Sequence, residues 1–182
     1  VELTGSGGPG LMAKDLVLAI GGRHGTDMAQ YAAIEYHGPR AAAMSIAGRM
    51  TMANMGAELG AKFAVFPADD VTVAYLAGRG VAAEPFGPQP GAVYDRTITL
   101  DTTGLEPQVA RPHNPGNVAG ISAVAGTPVH QAFLGSCTNA RLEDLAVAAE
   151  ILRGRRVHPR VRLLVTPASQ QVFLDAVQAG HV

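Results

Sequence analysis

The sequence predicts an α/β fold of three layers with parallel β-α-β units, and three observations carry that prediction. The last third reads strand, tight turn, helix, strand, helix, the alternation that builds parallel sheets. Hydrophobic side chains make up 47% of the 182 residues against 16% charged, enough apolar material to bury a core. With 22 Gly and 12 Pro, turns are too frequent for a helical bundle.

Val1-Glu2-Leu3-Thr4 reads as a strand entered part-way, without an initiator Met or a polar leader. Gly5 to Gly10 is turn-rich but lacks the Lys-Ser/Thr pair of a phosphate loop. From Met12 to Ile20, Leu16, Val17 and Ile20 recur at helical spacing, and Gly21-Gly22 is expected to stop that helix. Ala32 to Tyr36 is a strand ending in the turn His37-Gly38-Pro39, and Arg40 to Ser45 is helical. In Met50 to Gly60, Met52, Met55 and Leu59 fall near one helical stripe, while Asn54 and Glu58, four apart, share another face. Phe63 to Phe66 reads as a buried strand closed by Pro67, and Asp69 or Asp70 can cap a helix running through Leu76.

Gly and Pro then dominate with little periodicity, which marks a connection. The expected organisation is a first α/β lobe at 1–76, a linker at 77–92 and a second lobe at 93–182. Val93 to Leu100 alternates in the strand manner, and Arg111 to Gly120 reads as an irregular ordered loop whose His113 and Asn residues either make turns or line a site. Val129 to Leu134 is a strand and Gly135 to Thr138 a tight turn. Leu142, Leu145, Ala146, Ala149 and Leu152 then mark one face of a helix, with Asn139 as its expected N-cap and Glu143 and Asp144 at the positive end of its dipole. A strand at Val161 to Val165 and a helix at about Ala168 to Ala179 complete the run.

The formal charge is −1, and Lys and Arg read as scattered, which gives no positive field for a phosphate backbone; nucleic acid is not expected as the main partner. No apolar run approaches the roughly 20 residues that span a bilayer, so no membrane partner is expected. The single cysteine excludes an intrachain disulfide and suits a reducing, cytoplasmic setting.

That cysteine, Cys137, lies where a strand hands over to a helix, where ligands collect in parallel sheets and backbone N–H groups favour thiolate. Three readings stand: an inert buried thiol, a nucleophile with a histidine in reach, as in a cysteine-dependent hydrolase or acyl-transferase, or a metal ligand. Asn54 and Glu58 are either a solvated face or a site.

Gly48-Arg49-Met50-Thr51-Met52-Ala53-Asn54-Met55-Gly56-Ala57-Glu58-Leu59-Gly60-Ala61, followed by Val65-Phe66-Pro67-Ala68-Asp69, resembles the characteristic segment of the aconitase family. Gly135-Ser136-Cys137-Thr138-Asn139-Ala140-Arg141 resembles that family's cluster-ligand segment. Ala13-Lys14-Asp15, Gly25-Thr26 and Ile34-Glu35-Tyr36-His37-Gly38-Pro39 are similar as well, so the resemblance covers most of the chain outside Gly78 to Leu105. The short middle region with Arg111-Pro112-His113-Asn114-Pro115 is more similar to the isopropylmalate and homoaconitate dehydratase branch than to mitochondrial-type aconitase.

The resemblance implies an aconitase-like fold and a four-iron, four-sulfur cluster with one open iron. It implies isomerisation of a hydroxy di- or tricarboxylate by dehydration and rehydration, in leucine or lysine biosynthesis, alongside a separate small subunit. Carried over, Cys137 is a cluster ligand, Asn139 lies beside the cluster sulfurs, and Asn54 and Glu58 are catalytic. The family's C-x-x-C pair, its upstream His segments and its substrate arginines and serine have no match here, so the chain reads as an internal segment, inactive alone. Ala53 stands where relatives often have cysteine. The alternative is a cluster-free binding or structural module of the same descent.

Overall fold

The computed structural model describes all residues, Val1–Val182, and divides into two compact units, Val1–Ala125 and Gly126–Val182. The expected break at 77–92 is not where the units part. Strand β4 (Thr99–Asp101) returns to pair in parallel with β1 (Glu2–Thr4), which ties the chain beyond the Gly/Pro connection to the first unit.

In the first unit β2 (Ala33–Glu35) pairs in parallel with β3 (Phe63–Val65), and a bridge from Glu2 to His37 links the two ladders in the order β3-β2-β1-β4. Helix α1 (Ala13–His24) supplies Leu16, Val17 and Ile20 to the core, with Leu3, Ile34, Tyr36 and Leu100 from the strands. Asp15 fixes its start: one carboxylate oxygen accepts the Met12 N–H at 2.7 Å and the other the Gln108 N–H at 2.7 Å. Gly21-Gly22 does not end the helix. These glycines lie inside α1 because neighbours press on them: a Cβ on Gly22 would stand 2.8 Å from Val118 Cβ. The stop falls at Gly25, which takes φ +89°.

Short α2 (Pro39–Ala42) leads to α3 (Ile46–Asn54), capped by Ser45 Oγ on the Gly48 N–H at 3.0 Å, and α3 tightens into a 3-10 turn, Met55–Leu59. Met52, Met55 and Leu59 are buried as their spacing predicts. Strand β3 is an edge strand rather than a buried one: it pairs only with β2, and Phe63 is 68% exposed. Helix α4 (Asp70–Ala77) is capped by Asp69. Only the end of the alternating Val93–Leu100 stretch joins a strand. The expected irregular loop at 111–120 is instead part of an antiparallel hairpin, β5 (Gln108–Ala110) with β6 (Val118–Gly120), which packs on α1. Its asparagines make turns: Asn114 Oδ1 accepts the Gly116 N–H at 2.7 Å, and Asn117 Nδ2 donates to the Pro112 carbonyl.

The second unit is the expected β-α-β-α run. Strand β7 (Gln131–Leu134) pairs in parallel with β8 (Arg162–Val165), and helices α5 (Leu142–Leu152) and α6 (Gln170–Gln178) pack on one another. Its core is small, with Ala140, Leu145 and Ala176 buried and Leu134 and Val172 against them. Of the expected α5 face only Leu145 is fully buried; Leu142 and Leu152 are each 37% exposed. The chain is α/β with parallel strands, arranged as small sheets. No helix is long and apolar enough to cross a membrane.

Candidate functional site

The second unit presents Cys137 on a turn at the carboxyl end of β7, and the thiol-bearing residue is exposed rather than buried. Within this chain it is therefore not a core residue. Ser136 takes φ +93° and Ala140 φ +59°, both left-handed and both non-glycine, a backbone that a surrounding network must hold. Side chains form that network. Ser136 Oγ and Thr138 Oγ1 are 3.0 Å apart, Thr138 Oγ1 donates to Asn139 Oδ1 at 3.1 Å, and Asn139 Nδ2 donates to Asp144 Oδ1 at 3.3 Å. The second oxygen of Asp144 accepts the Arg141 N–H at 3.0 Å. From below, the Ala168 N–H donates to the Ala140 carbonyl at 2.9 Å. Thr138 and Asp144 are buried, so this is a wired base under an exposed thiol.

Asn139 is not the N-cap of α5. That position is Arg141, and the Asn139 amide is turned instead onto Asp144, three residues into the helix from the cap. From the sequence, Asp144 reads only as a charge favoured by the helix dipole. The signal that could have found it is the carboxylate at N3, where a side chain reaches back to the cap N–H.

In the first unit Asn54 closes α3 and Glu58 lies in the 3-10 turn that follows; both are exposed, on the side away from buried Met52, Met55 and Leu59. Gly60, at φ +78°, ends the turn. What fixes this segment is Arg49. Its guanidinium is 6% exposed and uses all five donors: Nη1 to Asp69 Oδ1 at 2.6 Å and Thr72 Oγ1 at 3.2 Å, Nη2 to Asp69 Oδ2 at 2.7 Å and the Ala42 carbonyl at 3.0 Å, and Nε to the Met44 carbonyl at 3.1 Å. The fork also faces the Phe66 ring at 5.9 Å. One ion pair therefore locks Gly48–Ala61 to Val65–Asp69, and the Arg49 hydrogen bonds hold the Asp69 carboxyl down at about 2. Arg49 and Asp69 both lie in the two family-like segments, but they are 20 residues apart and nothing in their spacing pairs them.

Asn54 and Glu58 thus belong to one unit, Cys137 and Asn139 to the other. Nowhere does the chain bring three His, Cys, Asp or Glu side chains together as a complete metal site.

The family model described as the aconitase family (aconitate hydratase) matches residues 1–128 and 121–182. The chain is 47% identical over 181 residues to 3-isopropylmalate dehydratase large subunit 1 of Methanopyrus kandleri, covering 99% of this chain and 43% of that protein. It is 48% identical over 170 residues to the 3-isopropylmalate dehydratase large subunit of Oleidesulfovibrio alaskensis, covering 93% and 41%. With large subunit 2 of Archaeoglobus fulgidus the identity is 46% over 184 residues, covering 100% and 44%. The chain therefore spans less than half the length of these relatives.

Proposed function

This chain belongs to the aconitase family, and from that premise we propose that it forms part of the large subunit of a 3-isopropylmalate dehydratase, a hydro-lyase of leucine biosynthesis. The observation that carries the reading is the exposed Cys137 on its hydrogen-bonded turn, within a chain similar over nearly its whole length to such large subunits.

The residues present fit one corner of a shared iron-sulfur site: a thiol held in the open on a preformed turn, with a buried carboxylate bracing it from behind. Cys137 is the ligand this chain provides, and the remaining thiolates come from outside it. When bound, the four-iron, four-sulfur cluster supplies a Lewis acid for the hydroxyl and carboxylate of the hydroxy acid. Asn139, fixed by Asp144, stands beside Cys137 and orients the turn. Glu58 carries proton chemistry at the hydroxyl: its carboxyl gives a proton to the departing hydroxyl, which leaves as water as the C–O bond breaks, while a base from outside this chain takes the proton of the neighbouring carbon; on rehydration the Glu58 carboxylate takes a proton from the adding water. Asn54, one turn away on the same exposed side, orients the substrate by hydrogen bonding. The substrate is a hydroxy dicarboxylate and the second partner a separate small subunit. Alone, the chain is inactive.

The test uses the complete large subunit containing this chain, loaded anaerobically with iron and sulfide and combined with its small subunit. Interconversion of 2- and 3-isopropylmalate, with homocitrate and citrate turned over far more slowly, is the expected result. Preference for homocitrate or citrate would move the chain to another branch, and no turnover with any of the three would favour a cluster-free module.

A further inference from the structure

We propose that the cleft between Pro128–His130 and His158–Val161 binds a small anion carrying two or more phosphate groups. It sits at the amino-terminal end of the β7–β8 ladder, the end opposite Cys137.

The charge is local and unopposed. Although Lys and Arg read as scattered, five of the 14 fall at Arg153, Arg155, Arg156, Arg160 and Arg162, and no Asp or Glu occurs between Glu150 and Asp175. All five arginines are exposed, and none forms an ion pair; Arg49, by contrast, is tied to Asp69. Positive side chains this dense raise the local concentration of anions, and the planar guanidinium fork matches phosphate oxygens in pairs.

The shape is that of a small-molecule site. The cleft holds about 440 Å³, within the usual range for such pockets, and Pro128, Val129 and Val161 give it apolar walls around His130, His158 and Arg160. Its rims are tied together, because the Arg162 N–H donates to the His130 carbonyl at 2.9 Å and the Val161 N–H to the His158 carbonyl at 2.8 Å. The ring of His158 is fixed as well: its Nδ1 accepts the Arg160 N–H at 3.2 Å, which assigns the ring proton to Nε2 and leaves that N–H to donate. A preformed cleft with imidazole and guanidinium donors loses little in ordering when an anion enters.

A long polyanion would engage all five arginines alike, whereas a small one depends on the three polar groups of the cleft. The 182-residue chain is titrated with inorganic pyrophosphate at constant ionic strength, followed by calorimetry and by the imidazole resonances of His130 and His158. The expected result is saturable binding at one site that moves both resonances. Arg160→Ala weakens it by about tenfold, the loss of one charge-assisted hydrogen bond, Arg160→Lys weakens it less, and Arg153→Ala by under about twofold. Absence of saturable binding would overturn the proposal. So would equal weakening by Arg153→Ala and Arg160→Ala, which describes charge attraction without a site, or a preference for a heparin-like chain over pyrophosphate.

Discussion

The side-chain amide of Asn139 donates to Asp144 Oδ1 at 3.3 Å while Asp144 Oδ2 accepts the Arg141 N–H, so one buried carboxylate holds the chain on both sides of Ala140, directly after the turn that carries Cys137. Removing it frees the cap N–H of α5 and lets the left-handed backbone at Ala140 relax. Asp144→Ala is expected to lower the stability of the second unit by about 1–2 kcal/mol, the usual cost of a lost cap. It also speeds hydrogen exchange at the Arg141 amide, and Asp144→Asn recovers part of both. A loss no greater than that of exposed Glu150→Ala would contradict this role.

The Arg49–Asp69 pair predicts an acid-sensitive first unit. Asp69 titrates at about 2 in the fold against an ordinary value of about 3.9, so its contribution is complete above pH of about 4 and is lost as pH falls toward 2. Asp69 is 37% exposed, so solvent screens part of the gain. Asp69→Ala nevertheless leaves buried Arg49 donors unpartnered and is expected to cost about 1–3 kcal/mol at neutral pH. Thermal unfolding from pH 7 to pH 2 checks both points: the variant should show a flatter pH dependence, and parallel curves for the two proteins would remove the pair from the account.

Gly22 is small because Val118 is close. Gly22→Ala gains about 1 kcal/mol of helix propensity but forces its Cβ within 2.8 Å of Val118 Cβ, and overpacking of that kind costs about 1–3 kcal/mol. Net destabilisation is expected, rescued by adding Val118→Ala. At Gly21 the nearest atom is the mobile end of Leu59, 3.2 Å away, so Gly21→Ala should be milder. Chemical denaturation of the three variants and the double variant measures the coupling, and an unrescued double variant would point to another cause.

The repeating units of the fold were legible where period and punctuation agree. The strand, turn and helix around Cys137 were readable because a short apolar run meets a Gly turn and a 3.6-residue pattern. Gly21-Gly22 reads as a stop because a glycine that ends a helix and one that admits a neighbour look alike in one sequence. The β5–β6 hairpin hid behind a Pro-His-Asn-Pro-Gly run that carries turn signals but no long alternating strands. The compact units part after Ala125 rather than within 77–92 because β4 completes its pairing with a strand almost a hundred residues earlier, and a composition shift does not report long-range pairing. Spacing and position single out Asn54, Glu58 and Cys137, and the resemblance gives them roles; the groups that hold them, Arg49 with Asp69 and Asp144, act through contacts that spacing does not reveal.

Glu58 is exposed and buries nothing, so its loss should leave the fold intact. In the complete enzyme Glu58→Gln keeps size and hydrogen bonding but cannot take up or return a proton in the same way, and kcat should fall by about 10²–10⁴-fold with iron content unchanged. Near-normal turnover would take the proton chemistry away from Glu58.

The most direct test is Cys137→Ser in the complete large subunit, assayed for iron and sulfide per protein, visible cluster absorbance and turnover after anaerobic reconstitution. The account predicts that the open-iron cluster and activity are lost together while the fold, read by circular dichroism, is retained. A Cys137→Ser protein that keeps a full complement of iron and turns over substrate would contradict it.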